Sequence, residues 1–267
     1  MAAITKVTRQ RKPGRYNIYI DDDYAFAVDE TILIKYNLFK GTDLTATEIS
    51  QIEAAEFEQK AYQKALVYAT GRLRAKGQII QKLTEQQIPR TVIARVIDRL
   101  EAVNVINDQQ YAVAYVQSMM SSGKLGPRGV RYKLQQLGIN DDDIADALVD
   151  YGDDEQLLHL ANHVEKLLHK YERQAHYMAV QKTRQKLQQA GFEARLINQA
   201  LQDYELAHEM DNEQEWDNLQ HDATIAANRY RQYDGWEFKK RVKAAMFRKG
   251  YDFDLVDKWI KQYEQEL

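Results

Sequence analysis

Cysteine is absent from the 267 residues, and proline occurs only three times. Without thiols the chain has no disulfide framework, no thiolate metal or iron–sulfur site and no cysteine nucleophile. So few prolines, beside 17 tyrosines, argue against a proline-rich linker or a long disordered tail. No apolar run approaches the roughly 18 residues that a membrane-spanning helix needs, and mean hydropathy is -0.64. Met1 to Gln10 lacks the apolar stretch of a secretory signal. A cytoplasmic protein with no membrane partner is expected. An excess of either charge is lacking too, since 37 Lys and Arg face 40 Asp and Glu for a net charge of -3. Taken as an average, that balance speaks against nucleic acid.

What is present divides into two patterns. Ile4 to Val7, Arg15 to Ile20 and Tyr24 to Val28 alternate apolar and polar residues, punctuated by Pro13-Gly14 and Asp21-Asp22-Asp23. This predicts a small antiparallel β meander. Thr31 to Tyr36 reads as one or two helical turns ending at Lys40-Gly41. After Thr45 the strand pattern stops, and Ala, Gln, Leu, Glu, Lys and Arg, the good helix formers, dominate to Leu267.

The helical part repeats. Lys82-Leu83 is followed by Ile88, Ile93 and Ile97; Lys133-Leu134 by Ile139, Ile144 and Leu148; Lys186-Leu187 by Phe192, Ile197 and Leu201. A weaker copy runs through Met246, Tyr251, Val256 and Ile260. Gly138, Gly191 and Gly250 precede the second position, as at a helix that ends on a C′ glycine before a tight turn. Pro89 suits the first position of the next helix, and Asn140 to Asp143 supply an N-cap and first-turn carboxylates. A further helix precedes each pair, as in Tyr111-Ala112 and Tyr115-Val116, capped by Asn107 or Asp108. The expected fold is mainly α: tandem three-helix repeats stacked in an elongated curved array, behind the small N-terminal meander. The boundaries expected are 1–55 for the meander and short helices, then 56–107, 108–153, 154–207 and 208–267 for four repeats.

Charge follows the same period. Ala61 to Thr84, Ser118 to Asn140, Arg173 to Phe192 and Phe238 to Tyr251 contain no Asp or Glu. They hold Lys64, Arg72, Arg74, Lys76 and Lys82; Lys124, Arg128, Arg131 and Lys133; Arg173, Lys182, Arg184 and Lys186; and Lys239, Lys240, Arg241, Lys243, Arg248 and Lys249. Asn140 to Glu155 and Gln202 to Asp222 hold eight carboxylates each and no Lys or Arg. A basic patch on each repeat would suit a long polyanion or an acidic polymeric partner. The plain alternative is a solvated face whose cations balance nearby acids.

The second repeat carries a specific likeness. Val105-Ile106-Asn107-Asp108, Tyr111-Ala112, Tyr115-Val116 and Lys124-Leu125-Gly126-Pro127-Arg128-Gly129-Val130-Arg131 up to Leu137-Gly138-Ile139 resemble the RecX family, regulators of the RecA recombinase. The resemblance covers about residues 60 to 265, and the meander is similar to the extension of members from Gram-positive bacteria. It implies a regulator without catalytic groups or cofactors. Its partners would be RecA and the RecA filament on single-stranded DNA, with DNA itself as a further contact and the chain acting as a monomer. Filament growth, ATP hydrolysis, strand exchange and co-protease activity would be restrained, in DNA recombination, repair and the SOS response. The chain departs from the family where Ala75 and Gln78 replace a capping hydroxyl and a Glu. Losing such a hydroxyl costs about 1 kcal/mol, so that helix start is expected to fray or to be capped differently. Tyr132-Lys133 also stands where Glu is common.

Other chemistries are weaker. His159 and His163, at i and i+4, could share a metal but lack a third ligand. The Gly123–Gly129 loop lacks the G-x4-G-K-[ST] spacing and follows a helix, which excludes a P-loop, though its N–H groups and Arg128 could hold a phosphate. Asp141 to Asp143 read as a helix start rather than a cation site. Trp216, Trp236 and Trp259 could stack on bases or fill thin cores. Against the regulator stand a helix-turn-helix DNA-binding or architectural protein acting alone, and an adaptor with protein partners only.

Overall fold

The three alternating segments pair as their pattern predicts, and a strand of two residues joins them. In this computed structural model, which describes residues 2–208 and 212–265, the sheet runs β3-β2-β1-β4. Its strands are β1 (Ala2–Arg9), β2 (Arg15–Ile20), β3 (Asp23–Asp29) and β4 (Asp43–Leu44), all antiparallel. Asp21 and Asp22 both take positive φ, the backbone of a two-residue hairpin turn. The strand β4 is too short to show alternation, and nothing in the sequence marks it. Ile4, Ile18 and Val28 from the sheet pack with Leu33 of α1 (Glu30–Lys35), Leu38, Leu44 and Ile52 of α2 (Ala46–Thr70).

Two units are formed: Met1–Tyr111 with Leu137–Asn140, and Ala112–Gln136 with Asp141–Leu267. In the first, α2 starts at a capping box, with Glu48 N–H donating to Thr45 Oγ1 (3.2 Å) and Thr45 N–H to Glu48 Oε2 (2.8 Å). It then runs unbroken across residues 55 and 56, where the expected boundary lies. One helix serves two cores: Ile49, Ile52 and Ala55 cover the sheet. Ala61, Ala65 and Ala69 pack with α3 (Lys76–Glu85) and α4 (Arg90–Ala102). Buried Glu56 ties the two together, pairing with Arg15 and accepting the Asp29 N–H at 2.7 Å.

Further triplets follow: α5 (Asp108–Ser122), α6 (Pro127–Gln136) and α7 (Asp141–Leu148); α8 (Asp153–Lys170), α9 (His176–Gln189) and α10 (Ala194–Ala207); α11 (Asn212–Tyr230), α12 (Gly235–Arg248) and α13 (Phe253–Gln265). The ladder residues are buried in every triplet, except that Ile88 and Leu148 are half-buried. The turn glycines take the left-handed φ the pattern requires: +78° at Gly138, +86° at Gly191 and +90° at Gly250. Gln87 holds the same place in the first triplet at +59°. Two cap assignments are settled. Pro89 stands just before α4 rather than in it, and Asn107 caps α5, accepting the Gln110 N–H at 3.0 Å.

Asp108 does something else. It accepts the Lys76 N–H at 2.7 Å, so the start of α3, which Ala75 cannot cap, is capped from the next triplet. Gln78 adds the reverse half of a box, accepting from Ala75 N–H at 3.2 Å. The start of α9 is treated alike: Glu215 of α11 accepts the His176 N–H at 2.9 Å. At α6 the acceptors are backbone: Gly126 N–H donates to Ala190 O (3.0 Å) and Arg128 N–H to Gly191 O (3.1 Å). That approach leaves no room for side chains. A methyl group on Gly191 would stand 1.9 Å from the Gly129 nitrogen, and one on Gly126 2.6 Å from Gly191 O.

Gly191→Ala should therefore cost about 3 kcal/mol or more. Gly138→Ala, with equally positive φ but nothing within 4 Å, should cost about 1–2 kcal/mol. Urea melts of the two variants compare them. A second prediction concerns Glu215, whose pKa is raised by burial against the lowering effect of the His176 N–H. Such a carboxyl binds more protons folded than unfolded, so its contribution to stability falls as pH rises through and above the ordinary carboxylate range. Glu215→Gln keeps an acceptor for His176 and removes the ionisation. It should flatten that part of the stability curve, whereas Glu215→Ala should lose about 1 kcal/mol with the cap. Thermal melts across acidic to neutral pH read both.

Candidate functional site

The second basic group is built on α6. Val130 and Leu134, one turn apart, are buried, which leaves Arg128, Tyr132, Lys133 and Gln135 exposed. Lys124 is exposed in the preceding loop and Arg131 is half-buried. Pro127 opens the helix at its first position, where a missing N–H costs nothing. The glycines on either side hold that end against the α9–α10 turn. This decides against phosphate on these backbone groups: the Gly126 and Arg128 N–H groups donate to Ala190 O and Gly191 O and are not free to receive an anion. What the loop offers is its side chains. Among the described residues, Lys124, Arg128, Arg131 and Lys133 form no ion pair, and Lys133 meets only Gln136 Oε1, at 3.5 Å. Tyr132, 60% exposed, lies among them.

The last basic group is different, and here the expectation of unopposed cations fails. Lys239 pairs with Glu264 at 2.7 Å, Lys243 with Asp257, Lys249 with Asp222 at 2.5 Å, and Arg241 with Glu237 at 2.8 Å. Helices α11 and α13 supply three of these carboxylates, so an acid-free stretch of sequence is not an acid-free surface. Lys240 stands 4.6 Å over the ring of exposed Trp236, and Arg248 is exposed without an ion pair among the described residues. On α9, Lys182 donates to Gln174, while Arg184 donates to Asn198 (3.1 Å) and Gln181 (2.9 Å). Lys186 alone there is exposed without a described partner.

In the first unit Lys76 turns to Glu101 at 2.8 Å. The Glu101 hydrogen bond raises its pKa against the opposing effect of burial. Arg72, Arg74 and Lys82 instead share a groove of about 970 Å³ with Lys12, Arg15, Lys60 and Lys64, and no carboxylate lines it. The Arg74 guanidinium carbon stands 3.5 Å from the centre of the Tyr68 ring, with its Nε–H donating to Tyr68 O at 2.9 Å. Lys82 reaches Glu85 at 3.8 Å. Sequence patterns did not single out Lys12, Arg15, Lys60 and Lys64 as site residues. Lys64 does stand among the cations of the first acid-free stretch, whereas Lys12 and Arg15 flank a turn some fifty residues upstream and carry no local signal.

The remaining candidates resolve structurally. His163 Nε2 lies 2.7 Å from Gly123 O, and His159 Nε2 is 3.6 Å from Glu155. Among the described residues no group of three His, Asp or Glu could hold a metal. Asp141 to Asp143 form the first turn of α7. Trp259 is in the core with Tyr251, whose hydroxyl donates to Asp222 at 2.9 Å. Trp216 packs at its edge, and Trp236 is exposed. No helix among the described residues is long and apolar enough to cross a membrane.

Comparison with known proteins gives one answer along the chain. The family model described as the Regulatory protein RecX N-terminal domain matches residues 2–45. Those for the first, second and third RecX three-helix domains match residues 61–100, 107–148 and 213–260. The third model thus falls on α11–α13, with α8–α10 lying between it and the second. Regulatory protein RecX of Limosilactobacillus reuteri is 36% identical over 260 residues, 97% of this chain and 98% of that one. That of Bacillus subtilis is 34% identical over 266 residues, 99% and 100% of the two chains. A crystal structure of regulatory protein RecX superposes with a TM-score of 0.68 at 34% identity, covering 76% of this chain and all of that one. The RecX crystal structure from Lactobacillus salivarius gives 0.50 at 31% identity, covering 57% and 99%.

Proposed function

The chain belongs to the RecX family of regulatory proteins, and from that premise we propose that it is a non-enzymatic cytoplasmic regulator of the RecA recombinase. It binds RecA and RecA filaments on single-stranded DNA and restrains their growth, ATP hydrolysis, strand exchange and co-protease activity in recombination and the SOS response. The observation that carries the reading to particular residues is the state of the α6 cations. Surface ion pairs leave little net charge for a partner, and the α12 cations are largely paired. Lys124, Arg128, Arg131 and Lys133 are not, and the docking of Gly126 and Gly129 fixes the helix that bears Arg128, Arg131 and Lys133. A fixed patch of cations with an exposed tyrosine suits an acidic surface in which protein and phosphate alternate.

The helix-turn-helix alternative meets a charge problem. In that motif the first turn of the second helix faces the base edges. In two of the four triplets those turns bring carboxylates, Asp141, Asp142 and Asp143 at α7 and Asp254 at α13, while the first turns of α4 and α10 hold no acid. Carboxylates so placed repel a duplex at those two triplets, which favours the regulator over a uniform helix-turn-helix array.

Reversing Arg128, Arg131 and Lys133 together to Glu should weaken filament binding by tenfold or more while leaving helicity by circular dichroism unchanged. Inhibition of RecA's DNA-dependent ATPase that survives intact in this variant would sink the assignment. A wild-type chain that binds duplex DNA tightly and selectively without RecA would restore the alternative.

A further inference from the structure

We infer that the groove of the first unit is a binding site for a single strand of nucleic acid, with phosphates on its cations and bases on its apolar floor. The groove gives the N-terminal sheet a task, because Lys12 and Arg15 join residues of α2 and α3 in lining it. Along α2 its lining recurs at helical spacing: Phe57, Lys60 and Ala61, Lys64, Val67 and Tyr68, Gly71. From Phe57 to Gly71 that stripe extends about 20 Å at 1.5 Å per residue, the scale of several nucleotides. Cations and apolar side chains thus alternate along one track.

Pairing inside the groove is partial. Arg15 and Lys60 both reach Glu56, the latter at 3.4 Å, and Glu56 itself is 5% exposed and does not line the groove. Lys12, Lys64 and Arg72 are exposed, with no ion pair among the described residues. Arg74 is held in place by the Tyr68 ring and carbonyl, which tie its Nε but form no salt bridge with its terminal nitrogens. A guanidinium fixed in this way keeps its fork for a phosphate at little further entropy cost.

The floor selects among polyanions. Phe57 is 43% exposed and Val67 73%. A duplex keeps its base faces stacked and could use the cations alone. A single strand offers both parts, and aromatic stacking with a charged track is how sequence-tolerant single-strand sites work. An acidic peptide could satisfy the cations too, but gains less from an exposed ring at the end of the track.

The test uses the full chain and a fluorescein-labelled oligothymidylate, read by anisotropy over a range of salt with no recombinase present. Lys64→Glu with Arg72→Glu should weaken binding at least tenfold and reduce the slope of log affinity against log salt by about 0.7 for each phosphate no longer neutralised. Phe57→Ala should weaken it about tenfold and leave the slope unchanged. These side chains are exposed, and circular dichroism checks the fold. Lys166→Glu, exposed on α8 and outside both the groove and the four basic groups, should leave binding as it is. Oligonucleotide affinity that is unchanged in the Lys64 and Arg72 double variant overturns the proposal. So does duplex bound as tightly as single strand, or polyglutamate that competes on equal terms whether or not Phe57 is present. The inference goes beyond the regulatory reading. Because the probe is bare DNA, its failure leaves the α6 assignment to be judged by the ATPase assay alone.

Discussion

The structure depends on how the middle helix of each triplet begins. An α-helix starts with four N–H groups that have no partner within it, and most helices meet this with a polar N-cap of their own. Here the residues just before α3, α6 and α9 are Ala75, Gly126 and Ala175, all buried and none with a side chain that can accept. The missing acceptors come from the triplet that follows: Asp108 at α3, the Ala190 and Gly191 carbonyls at α6, and Glu215 at α9. Small residues permit the approach, and the approach supplies the cap. The middle helix of the last described triplet, α12, begins instead at exposed Asp234 and Gly235. Such a rule makes neighbours stabilise one another in series, the expected energetics of a repeat protein.

That rule also explains why one substitution looked like a defect in the sequence. Read alone, Ala75 is a lost cap. In the fold it is 0% exposed, under the incoming start of α5, where a hydroxyl would compete with the Asp108 carboxylate for the same N–H. The same logic removes the phosphate reading of the Gly126–Gly129 loop. Glycine near a helix start can mean that an anion approaches the backbone, but it can equally mean that another backbone does. The sequence holds both meanings, and only the position of Gly191 decides between them.

The local patterns were legible. Period-2 alternation marked β1, β2 and β3, and the ladder of Leu83, Leu134, Leu187 and their followers marked the buried face of each helix pair. Those signals depend on spacing, which a sequence displays directly. What could not be read was whatever joins distant positions. The Arg15–Glu56 pair links residues 41 apart, and Lys243 meets Asp257 on the next helix. Gln87 shows a milder limit: it takes the left-handed turn that glycine takes in the other triplets, so the first copy hid its turn behind an ordinary residue. The groove lies at the far end of this scale, since its cations come from a hairpin turn, a long helix and a short one.

Charge must therefore be judged by what each cation already has. An exposed ion pair contributes roughly 0–1 kcal/mol to stability, so the pairs on α12 add little to the fold. They do remove its cations from the field that a partner would feel, as surely as mutation would. The near-neutral total of -3 is thus distributed by pairing as well as by position. Acids answer most of the bases on α12 and leave those of α6, and Lys12, Lys64, Arg72 and Arg74 of the first-unit groove, without an ion pair among the described residues. A protein that coated DNA would gain from leaving all of them free. One that must recognise a surface where protein and phosphate alternate gains from having only some free, because the paired regions then neither attract bare nucleic acid nor repel the acidic parts of the target.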